Sequence, residues 1–220
     1  MRCNRHGVVS IFFASVLLAV LGWGCSANEK EGPPPDPEEL PTATEDAVFG
    51  LSWSYTEQQL LAAGVIRGKA EPFVGKRGHM YTDVKLPRRF KDADWCALCF
   101  NDSGDMVRIA CVGETVKNDP SGEAMRKRYE ELKDAISRKI PIVETFEAKK
   151  GTWPRDQDWW GSLKDGKIQW ATGFRGEVME AILEIRAESG IAGAYSLIVD
   201  NLNRMQEFNR TSDQADRAVF

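Results

Sequence analysis

Between residues 48 and 220 the apolar positions recur with two periods. Ala181, Leu183, Ile185 and Ala187 alternate with Glu184, Arg186 and Glu188, the period of two expected of a half-buried strand. Residues 189–193 turn the chain, and Tyr195, Leu197 and Val199 resume the alternation. Met125, Tyr129, Leu132, Ile136 and Ile140 instead recur at three and four residues, an apolar stripe along one helix, with Lys127, Glu130, Glu131, Lys133 and Asp134 on its solvent side. Asp119 is placed to cap this helix and Pro120 to occupy its first turn. The stripe is expected to pack on the sheet, with Leu132 and Ile136 almost fully buried. A shorter helix is expected over residues 56–63, where Thr56 and Gln59 form a capping box and Gly64 suits the left-handed position after the last turn. Residues 48–53 read as an extended entry and 80–86 as a strand closed by Pro87. Residues 201–209 read as a closing helix through Leu202, Met205 and Phe208, with a loose tail after Arg210.

Residues 95–100 and 106–112 flank Asn101-Asp102-Ser103-Gly104-Asp105, a hairpin signal. The register has two readings. A loop of two or four residues sets Cys96 opposite Cys111 and gathers Cys96, Leu98, Phe100, Val107, Ile109 and Cys111 on one apolar face. A three-residue loop with Gly104 in the left-handed region is the better turn chemistry, but it shifts the pairing by one and separates the cysteines. The first is adopted, because a buried face specifies register more strongly than a turn does. The elements together predict a single α+β domain over residues 48–220, an antiparallel sheet with helices covering one face.

The N-terminal residues have a different pattern. Arg2, Arg5 and His6 precede an apolar run over residues 8–21, and no acid occurs before Glu29. A positive start, an apolar stretch of this length and a small-residue exit mark a secretory signal, here residues 1–24. A permanent span needs about 20 apolar residues, and this run ends sooner, at Gly22. The exit Leu21-Gly22-Trp23-Gly24-Cys25-Ser26 resembles a bacterial lipoprotein signal, although Gly22 stands where that family usually has Leu. The resemblance implies an acyl lipid (palmitate or similar) on Cys25 and, from Ser26, an outer-membrane, periplasm-facing address. The alternative is cleavage after Ala27 and a soluble periplasmic protein. Residues 25–47, with five prolines and seven acids, read as a semi-rigid solvated tether.

Charge narrows the remaining functions. The formal net charge is −4 with both signs interspersed, so no basic stripe points to nucleic acid. Beyond the signal, the one histidine, His79, lies among Lys76, Arg77 and Gly78 and reads as a solvated surface residue. No metal-ligand spacing, nucleophile elbow, phosphate loop or dinucleotide glycine pattern occurs, and no cofactor is implied. Cys96, Cys99 and Cys111 allow one disulfide and one leftover thiol in an oxidising envelope, and Cys96–Cys111 is the expected pair. Trp95-Cys96-Ala97-Leu98-Cys99 resembles the W-C-x-x-C of thioredoxin-like redox proteins. The acids before it and the turn after it depart from that family's strand and long helix.

Trp153, Trp159 and Trp160 lie in a stretch that shows neither period, beside Pro154 and Gly161. Indoles set among charges in irregular chain suit a partner-binding surface, and at least one is expected to be exposed. The leading expectation is a non-enzymatic envelope lipoprotein that binds another protein, as an assembly component or an inhibitor or immunity-type factor. The rivals are a membrane-tethered thiol oxidoreductase using Cys96 and Cys99, and an enzyme whose acids meet only in space.

Overall fold

The computed structural model describes residues 48–73, 77–88, 90, 93–147, 159–189 and 191–218. The signal, Cys25, the tether and Trp153 lie outside them. In chain order the elements are α1 (Glu57–Ala62), β1 (Ile66–Arg67), β2 (Glu71–Pro72), β3 (His79–Tyr81), β4 (Asp83–Val84), β5 (Ala93–Phe100) and β6 (Met106–Gly113). There follow α2 (Glu123–Ser137), β7 (Ile142–Glu147), α3 (Trp159–Lys164), β8 (Trp170–Arg175), β9 (Met179–Ser189), β10 (Ala192–Asn201) and α4 (Leu202–Ala218). Eight strands form one sheet in the order β2-β3-β5-β6-β10-β9-β8-β7, and β1 pairs with β4. Every pairing is antiparallel, so the chain is a mixed α and β fold built on a large antiparallel sheet.

The alternation read in the sequence places the main core on one face of that sheet. Leu183 and Ile185 of β9 join Tyr195, Leu197 and Val199 of β10, and Met125, Tyr129 and Leu132 of α2 close over them. Leu132 is buried as expected, whereas Ile136 is only half-buried at the rim. The Tyr129 hydroxyl is 2.6 Å from Oγ1 of buried Thr172 on β8, tying the helix to the sheet by a satisfied polar contact.

Asp119 does cap α2, but from further back than its spacing suggested. Its Oδ2 accepts from the Met125 amide at 3.0 Å, and the helix starts at Glu123 after Gly122 in the left-handed region, φ 68°. A Cβ on Gly122 would meet the Trp159 ring at 2.1 Å, so a side chain there is excluded twice, by conformation and by space. The capping box of α1 is present in full: Thr56 Oγ1 accepts from the Gln59 amide at 3.3 Å, and Gln59 Oε1 from the Thr56 amide at 2.9 Å.

Several local expectations are corrected. Residues 48–53 make a tight turn, with Phe49 and Gly50 both at positive φ and Val48 paired to Leu51. The strand expected over 80–86 is broken at Thr82, because Tyr81 belongs to the main sheet and Val84 pairs with Ile66. The irregular tryptophan stretch contains α3 and β8. The closing helix runs on to Ala218, well past Arg210. Helices also cover both faces: Met205 and Phe208 of α4 pack with Cys99 and Val107 in a second cluster, opposite the main core.

The β5–β6 hairpin combines the two rival registers. Phe100 pairs with Met106 across a loop in which Gly104 has φ 79°, and Asn101 Oδ1 accepts from the Ser103 and Asp105 amides at 3.0 and 2.8 Å. A bulge at Val107 then resets the pairing to Cys99 with Arg108 and Cys96 with Cys111. Turn chemistry wins at the turn, the apolar pattern wins in the strand, and one inserted residue absorbs the difference. Cys96 and Cys111 form the expected disulfide, with Cα atoms 4.1 Å apart. Val107 goes to the second cluster rather than to the Ile109 face, a correction that follows from the bulge.

Trp159 and Trp160 are 1% and 0% exposed. Glycine makes room for both: a Cβ on Gly193 of β10 would lie 2.2 Å from the Trp160 ring and 2.3 Å from the Arg186 carbonyl. The carbonyl cannot rotate away as a side chain could, so overpacking here has no cheap relief. Gly193→Ala is expected to cost about 2–3 kcal/mol in denaturant unfolding. Gly173→Ala, where the nearest atom is Val143 Cγ2 at 3.8 Å, should change stability little, and equal losses at the two sites would contradict this packing.

Candidate functional site

The face of the sheet opposite the main core divides into rows. One row runs Met80, Cys99, Arg108, Asp200 through directly opposed pairs. Arg108 donates to both Asp200 oxygens, Nε to Oδ1 at 2.6 Å and Nη2 to Oδ2 at 2.8 Å. Phe73 stacks against Phe208 with the Arg108 guanidinium over its ring. The Cys99 thiol is pushed up to about 12 by burial first of all, against which Arg108 acts, with Asp200 reinforcing burial. A thiol so placed stays protonated and inert at neutral pH.

The next row runs Gly173, Ile182, Ile198, Ala110, Ala97 from β8 to β5, again through directly opposed pairs, and Val143 of β7 adjoins Gly173. Its members are apolar or glycine, and its larger side chains are open to solvent: Val143 is 61% and Ile182 36% exposed, with Ile198 half-buried. Beyond it lies a third row, Ala171, Glu184, Ser196, Val112, Trp95, which ends on an indole 45% exposed. Exposed aliphatics contiguous across several strands mark a contact surface more strongly than scattered ones. Their sequence signal was present but faint: Ile182 and Ile198 occupy positions where β9 and β10 otherwise carry Glu180, Glu184, Ser196 and Asp200.

The residues singled out from the sequence lie elsewhere. Trp159 and Trp160 meet edge to face at 4.6 Å in the core, and Trp160 Nε1 donates to the Asp119 carbonyl. They join α3 to the start of α2, so the exposed indole expected of this cluster is not found at either position. Cys96 and Cys99 both lie within β5 on opposite faces, and Cys96 is bonded to Cys111. The two cysteines therefore do not share the helix-start geometry of the redox family they resemble.

Half-buried His79 is also corrected. Gly78 brings the chain against the Phe100 carbonyl, where a Cβ would sit 2.2 Å away, and His79 then pairs with Phe100 in the sheet and stacks on its ring at 5.7 Å. Its Nε2 is 3.0 Å from Oε2 of Glu57, whose Oε1 accepts from the Tyr81 hydroxyl at 2.5 Å. The cluster clamps α1 onto β3. Among the described residues no group of three or more His, Cys, Asp or Glu is placed to hold a metal ion, and no described helix is long and apolar enough to cross a membrane.

The clamp has a pH signature. The hydrogen bond to Glu57, then burial and the carboxylate charge, push the Tyr81 hydroxyl up to about 12. The folded state thus holds this proton more tightly than the unfolded chain, whose tyrosines titrate near 10. The stability it contributes is complete below about pH 10 and is lost as pH rises through about 12. Tyrosinate absorbance, with the Tyr81→Phe difference assigning the step, should show Tyr81 titrating late, and Glu57→Gln should move that step toward 10; a Tyr81 step near 10 in the unaltered chain would contradict the clamp. No family model, curated protein or solved structure matches the chain.

Proposed function

We propose that this chain is an envelope lipoprotein whose single domain binds another protein through the open face of its sheet. The observation that carries the reading is the apolar row of exposed Val143 and Ile182 and half-buried Ile198, extended by Trp95. A row this apolar is costly to leave in water at about 25 cal/mol per Å², and covering it by a partner recovers that cost. The Cys96–Cys111 disulfide supports an oxidising compartment, as a signal over residues 1–24 requires. The lipid on Cys25 and the acidic, proline-rich tether over residues 25–47 would hold the domain off the outer membrane on its periplasmic side. The opposed faces of Cys96 and Cys99 weigh against the thiol-oxidoreductase alternative.

Two measurements test the reading. Mass spectrometry of the mature protein from its native cells should find an acylated Cys25; a mature chain that begins at Asn28 would contradict the anchor. A photo-crosslinking residue at position 182, in the same cells, should give one discrete protein adduct. The same residue at position 61, where Leu61 is 41% exposed on α1, should give none. Adducts at both positions or at neither would contradict binding through this face.

A further inference from the structure

Resting on that reading, we infer that the occupant of the open row is an amphipathic helix of the partner, basic on its flanks, laid across the strands beside α4. The first argument is the seat already filled. α4 lies on this same face over the Met80–Cys99–Arg108–Asp200 row, with Met205 and Phe208 inserted against Cys99 and Val107. The open row lies two residues further along each strand, about 7 Å away at the usual rise. Neighbouring helices pack about 8–10 Å apart. A second helix alongside α4 would therefore be centred between the open row and the Trp95–Val112 row, over the exposed side chains of both.

The second argument is size. From β7 to β5 the row crosses six strands, about 24 Å at the usual spacing, which a helix of about 16 residues matches. A strip of that length and one helix width, about 10 Å, covers roughly 240 Å². The third argument is charge. Arg108 and Asp200 satisfy each other beneath α4. The rest of the face carries Glu144, Glu180, Glu184 and Glu188 against Arg175 and Arg186, an acidic excess that lysines or arginines beside an aliphatic stripe would complement.

The test uses the mature lipidated chain in neutral-lipid nanodiscs and two labelled synthetic helices of about 16 residues. Both carry leucine at helical spacing; one is flanked by lysine and the other by glutamate. Fluorescence anisotropy should show the lysine helix binding, with the glutamate helix at least about tenfold weaker. Ile182→Asp and Val143→Asp, both at exposed positions, should each weaken the lysine helix by at least about tenfold with unchanged melting temperatures; Ile182→Ser serves if the aspartate variant melts early. Equal binding to the variants, or equal binding of the two helices, overturns the inference. So does a stable dimer of the chain that Ile182→Asp dissociates. If neither helix binds while position 182 still crosslinks a partner, the helix is wrong and the protein-binding reading stands; if crosslinking fails too, both fall.

Discussion

Val107 is the extra residue that lets an odd-length turn and two matched apolar faces coexist in one hairpin. Had the pairing of Phe100 with Met106 continued unbroken, Cys96 would face Ala110 and Leu98 would face Arg108. That register buries a guanidinium in the main core at a cost of several kcal/mol and leaves Cys111 without its partner. The bulge moves the pairs from Cys99 to Trp95 by one, and the pleat does the rest: Leu98, Cys96, Ile109 and Cys111 fall to the core side, while Ala97, Cys99, Arg108 and Ala110 fall to the other. β6 pairs with β10 without a shift, Ala110 opposite Ile198 and Arg108 opposite Asp200, and the bulge joins Ala97 and Cys99 of β5 to those rows.

Each row then has its own physical character. The Cys99–Arg108–Asp200 row is polar at its centre, where the bidentate ion pair satisfies itself while part-buried, and α4 covers it at Cys99. The Ile182–Ile198 row is apolar and wet. Arg204 fixes α4 on the hairpin-turn side, away from the open row, donating from Nη1 to the carbonyls of Trp53 and Met106 at 2.5 and 3.3 Å. The arrangement resembles a sheet face with room for two helices and one in place.

Periodicity made much of this legible in the sequence. The strands β9 and β10, the apolar stripe of α2, the capping box of α1 and the Cys96–Cys111 pair all follow from local alternation or spacing. What escaped depends on contacts between distant residues. Trp159 and Trp160 lack a periodic signature because their seats are single glycines, Gly122 and Gly193, which no local pattern links to them. The bulge is hidden in the sequence because turn chemistry and apolar pattern point to different registers, which one inserted residue satisfies together. Met205 and Phe208 show an apolar side in the sequence without showing which side of the sheet receives it. The open row was visible only as two isoleucines at polar positions, a signal that gains meaning once the register aligns them.

Backbone proton contacts across β5 and β6, measured by nuclear Overhauser spectroscopy on the folded chain, test the register directly. Contacts between Ala97 and Ala110, together with contacts between Phe100 and Met106, are the predicted result. Contacts pairing Ala97 with Ile109 would mean that the turn register runs on without a bulge, and the main core and the β5 ends of the rows on the second face would have to be redrawn.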